Sequence, residues 1–205
     1  MKIRDVLSPT ENWNVIVSYG RISGTYEKKT SIRSLSAGVP TEINLEGLAA
    51  DSAYFYRLHL LNSSNVEIGT TSESRFHTAR STGSSFSFTI QGDSHPERPN
   101  EFSSSLYSRT LQTAAADQAD FHVTLGDDFS VDTLDPATVT KAQVVERYTL
   151  QRPYLGLIGR YSPVFLVNGN HEQSAGYLLN GTENNVAVWA QNARNTYYTQ
   201  PAPNN

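Results

Sequence analysis

Cysteine is absent from this chain of 205 residues. Disulfide frameworks, cysteine-ligated zinc sites and thiol nucleophiles are therefore excluded. Any metal ion would have to be held by oxygen atoms of Asp, Glu or Asn and by the 5 His residues. Long apolar runs are also missing, so the sequence predicts no membrane span, and its first residues carry no segment typical of a signal peptide.

Positive charge is scarce as well. Lys and Arg number 16 against 20 Asp and Glu, which gives a formal net charge of -4. Because binding to duplex nucleic acid needs clustered cations that neutralise phosphates, we expect no nucleic-acid partner. The remaining composition, 38% hydrophobic and 10% aromatic, is that of a folded globular protein and not of a disordered chain.

The first part of the chain has the pattern of an all-β sandwich. Up to about residue 80, short β-favouring runs alternate with turn residues, and no window keeps a helical period. The run 53–61 alternates strictly, which predicts one buried face. That face consists of Tyr54, Tyr56, Leu58 and Leu60.

The second part changes pattern after a flexible connector over residues 81–85, Ser-Thr-Gly-Ser-Ser. Strands separated by helices predict a parallel sheet of the α/β type. We therefore predict domains over residues 1–80 and 86–205. The predicted strands cover 86–90, 121–125 and 163–167, and the helical stretches cover 100–116 and 138–158.

Each predicted strand of the second part ends in a polar motif that contains a glycine. The carboxyl ends of parallel strands share one crevice, and glycine allows the sharp turn that points the next side chain into it. One such motif alone is typical of a turn or a helix cap, but three together predict a metal site, because Asp, Asn and His suit Mn, Fe or Zn. The motifs are Gly92-Asp93-Ser94-His95, Gly126-Asp127-Asp128 and Asn168-Gly169-Asn170-His171-Glu172.

In this order the motifs GDxH, GD and GNHE resemble those of the calcineurin-like metallophosphoesterases, and a β-sandwich in front of them resembles the layout of purple acid phosphatases. The resemblance implies the αββα sandwich of the complete family, of which this chain would hold the first part. It also implies hydrolysis of phosphate monoesters or diesters at two divalent or mixed-valence ions of Fe, Mn or Zn, with no organic cofactor.

The resemblance also implies roles for the matching residues. Asp93 and His95 would bind the first metal ion, Asp127 would bridge both ions, and Asn170 would bind the second through its carbonyl oxygen. His171 would act on the substrate, by a hydrogen bond to the phosphoryl group or by protonating the leaving oxygen.

Two acidic neighbours of these residues keep alternative interpretations. Glu172 either orients the imidazole of His171 from behind or is a solvated carboxylate. Asp128 is expected to be exposed on a loop with Asp132 and Asp135, and the alternative is that it supports the metal ligands from behind.

The sandwich itself resembles a fibronectin type III-like module. Leu48 precedes Tyr54 by six residues, the arrangement of a tyrosine corner, in which the hydroxyl bonds back to upstream backbone. Another kind of small β-sandwich is the alternative.

The metallophosphoesterase pattern requires later histidines, and none follows His171. We therefore predict a C-terminally truncated piece that by itself binds at most one ion weakly and is inactive. Since enzymes of this kind are commonly exported, an extracellular or periplasmic location is expected. The alternative function is a non-catalytic adhesion or carbohydrate-binding module with a degenerate phosphatase half.

Overall fold

The computed structural model describes residues 2–5, 13–173 and 179–198. The chain forms two compact units, Met1–Phe86 and Ser87–Asn205. The finer division into two domains and a connector at 81–85 stays a prediction. Over the described residues, no helix is both long enough and apolar enough to cross a bilayer.

The regular elements described in the first unit are strands in two antiparallel sheets. One sheet pairs β1 with β5, and the other is built on the long pair β2 and β6. On this pair, β3 and β4 join β2, while β7 and β8 join β6. The strands are β1 (Lys2–Asp5), β2 (Trp13–Gly20), β3 (Lys28–Lys29), β4 (Arg33–Leu35), β5 (Thr41–Asn44), β6 (Ala53–Leu61), β7 (Glu67–Thr70) and β8 (Ser74–His77).

The core of the first unit follows from the alternation along β6. Tyr54, Tyr56 and Leu58 are buried, and Leu60 packs partly buried against the same cluster, so the predicted inward face is confirmed. Ile43 of the other sheet belongs to this cluster too. The core therefore contains side chains from both sheets, while the fibronectin type III-like assignment stays a prediction.

The hydroxyl of Tyr54 accepts a hydrogen bond of 2.9 Å from the backbone N–H of Ala49, which is the bond that a tyrosine corner predicts. Replacing Tyr54 with Phe removes this acceptor and leaves a part-buried N–H unpaired. We expect the free energy of unfolding to fall by about 1–2 kcal/mol. Urea unfolding of wild type and variant measures the change, and equal midpoints would show that the bond contributes nothing.

The second unit holds a three-stranded parallel sheet in the order β11-β10-β9, which confirms the predicted parallel pairing. The helical stretch 138–158 is two helices, and Pro153 lies in the first turn of the second, where its missing N–H costs nothing. The elements are β9 (Phe88–Gln91), α1 (Ser104–Ala116), β10 (Phe121–Thr124), α2 (Lys141–Leu150), α3 (Arg152–Gly159), β11 (Val164–Leu166), α4 (Asn170–Gln173) and α5 (Val186–Tyr197).

The two faces of this sheet differ. On one face His122 and Thr124 of β10 are fully buried. On the other face Phe88, Ile90 and Phe165 are each about half exposed. The loops that follow the carboxyl ends of the three strands contain the polar motifs.

Candidate metal centre

Three residues of the strand-end loops have left-handed backbone conformations. The φ angles are 56° for Asp93, 41° for His95 and 58° for Asp127. Side chains other than glycine rarely adopt this region, and such strain concentrates at functional sites. Three of the four predicted metal ligands therefore lie in this strained backbone region.

Two glycines let the loops after β10 and β11 touch. Gly126 has a φ of 98°, and a Cβ there would collide with the backbone of Gly169. A Cβ on Gly169 would in turn collide with the backbone nitrogen and the carboxylate of Asp127. Glycine at these two positions is therefore required for the close contact of the loops, a role beyond the sharp turn that the sequence predicted.

Glu172 ties these two loops by accepting four backbone hydrogen bonds. One carboxylate oxygen accepts from the N–H groups of Asp127 and Gly169, both at 2.8 Å. The other accepts from Asp128 at 2.7 Å and from Phe129 at 2.9 Å. This role differs from both sequence interpretations, since Glu172 positions backbone instead of the His171 ring or solvent.

His95, Asp127 and His171 converge. Each offers one possible ligand atom, and these atoms all lie within 4.8 Å of one another. The two imidazole rings meet edge to face with centroids 5.0 Å apart, and the backbone N–H of His171 donates to Asp127 Oδ1 at 2.9 Å. The structure thus brings together three of the five residues for which the resemblance implies a direct role, and the roles themselves stay predictions.

Two side chains contact the Nδ1 atom of the His95 ring. Its Nδ1 lies 3.1 Å from Glu97 Oε1 and 3.0 Å from Ser130 Oγ, and the Glu97 side chain is only 3% exposed. A carboxylate at one ring nitrogen fixes the proton there and leaves the other nitrogen as a metal ligand. This geometry supports the predicted ligand role of His95.

His171 has a similar carboxylate partner. Its Nδ1 lies 2.8 Å from Asp132 Oδ2, and its Nε2 lies 3.3 Å from Arg98 Nη2. Because a guanidinium only donates, Nε2 accepts, and the ring proton lies on Nδ1 and is donated to Asp132. Asp132, not Glu172, therefore orients this imidazole.

Asp93 does not belong to the convergent group of His and carboxylate side chains. Asp93 is exposed, and its backbone N–H donates to Gly126 O at 3.0 Å. Asn170 is exposed at the start of α4. Their roles as metal ligands stay predictions.

The expectation that Asp128 is exposed is wrong. It is 1% exposed, and its Oδ1 accepts a hydrogen bond of 2.6 Å from Ser94 Oγ. The left-handed turn at Asp127 lies just before it, and the Asp128 side chain joins a buried polar cluster. Gln151 belongs to this cluster and donates to the backbone oxygen of Asp128 at 2.9 Å, while Asp135 is exposed as expected.

Burial raises the pKa of Asp128 from 3.8 to about 6. The folded state therefore binds this proton more tightly than the unfolded state, and the free energy of unfolding falls as pH rises from about 4 to about 6. The full difference corresponds to about 3 kcal/mol.

Asp128→Asn removes this titration and keeps the acceptor for Ser94. In metal-free protein we expect the variant to gain stability relative to wild type as pH rises from 4 to 6 and to keep that gain at pH 7. Chemical denaturation at four pH values measures the difference. A difference independent of pH would contradict the burial of this carboxylate.

Comparison with known proteins bears on this arrangement. The sequence matches no protein-family model and no curated protein. A solved structure of a purple acid phosphatase isolated from yellow lupin (Lupinus luteus) seeds matches with a TM-score of 0.65 and 17% sequence identity. The fold therefore resembles that of this purple acid phosphatase over most of the given chain. The match covers 94% of this chain and 37% of the lupin chain, so this chain spans little more than a third of that protein's length.

The side chains of His95 and Asp127 fit a metal ion. Imidazole and carboxylate groups suit Mn, Fe and Zn, and His95 has a carboxylate at Nδ1, the arrangement that orients a metal-bound histidine.

Proposed function

We propose that the chain carries a metal-dependent phosphoesterase centre of the binuclear type, using Fe, Mn or Zn ions. The observation that supports it best is the convergence of His95, Asp127 and His171 at the carboxyl ends of parallel strands in a metallophosphoesterase-like fold. Phosphate esters are the proposed substrates.

Asp127 is the proposed bridging ligand, with His95 and Asp93 on one ion and Asn170 on the other. Such ions, when bound, supply hydroxide near neutral pH and stabilise the charge on the phosphoryl oxygens. The protein's contribution is placement, because Glu172 accepts hydrogen bonds from the backbone of Asp127, Asp128 and Gly169, and the two glycines let the loops lie in contact.

His171 is proposed to act on the substrate. Its Nδ1 proton is donated to Asp132, and the guanidinium of Arg98 lies at its Nε2. A cation at this distance opposes a metal ion on the same nitrogen and favours an anionic group there. Nε2 is then placed to contact the phosphoryl group or, once protonated, the leaving oxygen.

The direct test is hydrolysis of an aryl phosphate by a version lengthened to include the later histidines that the metallophosphoesterase pattern requires. It is assayed after metal removal and after reloading with Mn²⁺, Zn²⁺ or Fe²⁺. We expect activity only in a metal-loaded sample and its loss with a chelator, while residues 1–205 alone stay close to background. Hydrolysis unaffected by the chelator would contradict the proposal. A lengthened version that binds metal and leaves all phosphate esters intact would favour a non-catalytic module instead.

A further inference from the structure

Arg98 occupies a fixed position beside the proposed centre. It lies between Pro96 and Pro99, in a turn that directly follows His95. Its backbone N–H donates to His95 O at 3.0 Å, and its own carbonyl accepts from the N–H groups of Glu101 at 2.9 Å and Phe102 at 3.0 Å. The start of the Arg98 side chain is therefore held relative to His95.

The guanidinium of Arg98 makes three long polar contacts. Nε lies 3.6 Å from Glu97 Oε1, Nη1 lies 3.5 Å from Glu101 Oε2, and Nη2 lies 3.3 Å from His171 Nε2. Charge-assisted hydrogen bonds are ordinarily about 2.7–2.9 Å long. Because the Glu101 side chain is 71% exposed, this ion pair contributes little.

The position of these contacts indicates a ligand. A guanidinium presents its donors as a planar fork that matches two oxygens of one phosphate group. The Nη2 end of the fork lies beside the ring nitrogen that we assign to the substrate. An anion that meets the fork at shorter distances can replace the long contacts while His171 keeps its bond to Asp132.

We infer that Arg98 binds terminal oxygens of the phosphoryl group and makes the centre selective for phosphomonoesters over phosphodiesters. The inference rests on the proposed function. A monoester has three terminal oxygens and up to two negative charges, whereas a diester has two terminal oxygens and one charge. Metal ions attract the oxygens of both classes, so the third oxygen and the second charge of the monoester are what the Arg98 guanidinium recognises in addition.

The test uses two anions that mimic the two substrate classes, methylphosphonate for monoesters and dimethyl phosphate for diesters. Their affinities for the Mn²⁺-loaded chain are measured by titration calorimetry, after Mn²⁺ binding has been measured by itself. The variants are Arg98→Gln, which removes the charge, and Arg98→Lys, which keeps the charge without the fork. Arg109→Gln is the matched control, since Arg109 is exposed on α1.

We expect Arg98→Gln to weaken methylphosphonate binding about 10- to 100-fold, the range of a charged hydrogen-bonding group, and to change dimethyl phosphate and Mn²⁺ binding less than about twofold. Arg98→Lys should recover part of the loss, and Arg109→Gln should match wild type.

Equal weakening of both anions in Arg98→Gln, or none, would overturn the inference and leave the proposed function standing. A wild-type chain that binds Mn²⁺ but neither anion would overturn both. A chain that does not bind Mn²⁺ would contradict the metal centre itself.

Discussion

In the version lengthened to include the later histidines, Asp127→Asn is expected to deplete metal and abolish metal-dependent hydrolysis with little change in fold. The amide keeps the size of the side chain and an acceptor for the His171 N–H, whose present bond to Asp127 is 2.9 Å long. It loses the negative charge that lets one side chain bind two cations. Metal content by mass spectrometry and rate of aryl phosphate hydrolysis measure the two effects together.

His171→Ala should separate chemistry from metal binding. If His171 acts on the substrate, the variant keeps its metal and loses about 10²–10⁴-fold in rate, the usual contribution of a positioned acid or base. Asp132→Asn, which weakens the hold on the ring, should fall between this variant and wild type. The control is Asp117→Asn, an exposed carboxylate at the end of α1. A His171→Ala protein as metal-poor as Asp127→Asn would make His171 a ligand instead.

Glu172→Gln is expected to have the largest effect on stability. The amide has one acceptor oxygen where four backbone N–H groups now meet a carboxylate, and its NH₂ group would face donors. Leaving such groups unpaired costs roughly 3 kcal/mol in the free energy of unfolding. Metal affinity should fall as well, because the loops that contain Asp127 and His171 would lose the hydrogen bonds that hold them together.

Glu146→Gln is the matched control for this change. Glu146 is exposed on α2, and the same substitution there should alter stability by less than about 0.5 kcal/mol. Denaturant unfolding and Mn²⁺ titration of the two variants provide the comparison. A Glu172→Gln protein with wild-type stability would show that the four hydrogen bonds do not hold the loops.

The parallel pairing and the shared edge of the three motifs could be predicted because they depend on patterns that local sequence shows. Alternation in β6 defined the core face of the first unit, and glycine after each apolar run marked where β9, β10 and β11 end. Parallel pairing then requires that their loops lie at one edge. These steps use only strand direction and periodicity.

The residues that support the centre could not be predicted in this way. In the sequence, nothing distinguishes Asp128 from its neighbours Asp132 and Asp135. The structure shows that Asp128 is buried directly after a left-handed turn at Asp127, which local sequence does not reveal. Glu97 and Arg98 read as part of a polar loop, because nothing in local sequence shows that the chain folds back over the imidazoles. The signal that could have indicated these supporting residues is their position, because they are charged and closely follow a candidate ligand in the sequence.

The occupation of the centre is tested most directly by anomalous diffraction from crystals of the chain soaked with Mn²⁺. We expect a peak within direct ligand distance, roughly 2 Å, of a ring nitrogen of His95 and of the carboxylate of Asp127. The same peak should be missing in Asp127→Asn crystals. Saturating Mn²⁺ that gives no peak at these two residues, or peaks only elsewhere on the chain, would contradict it.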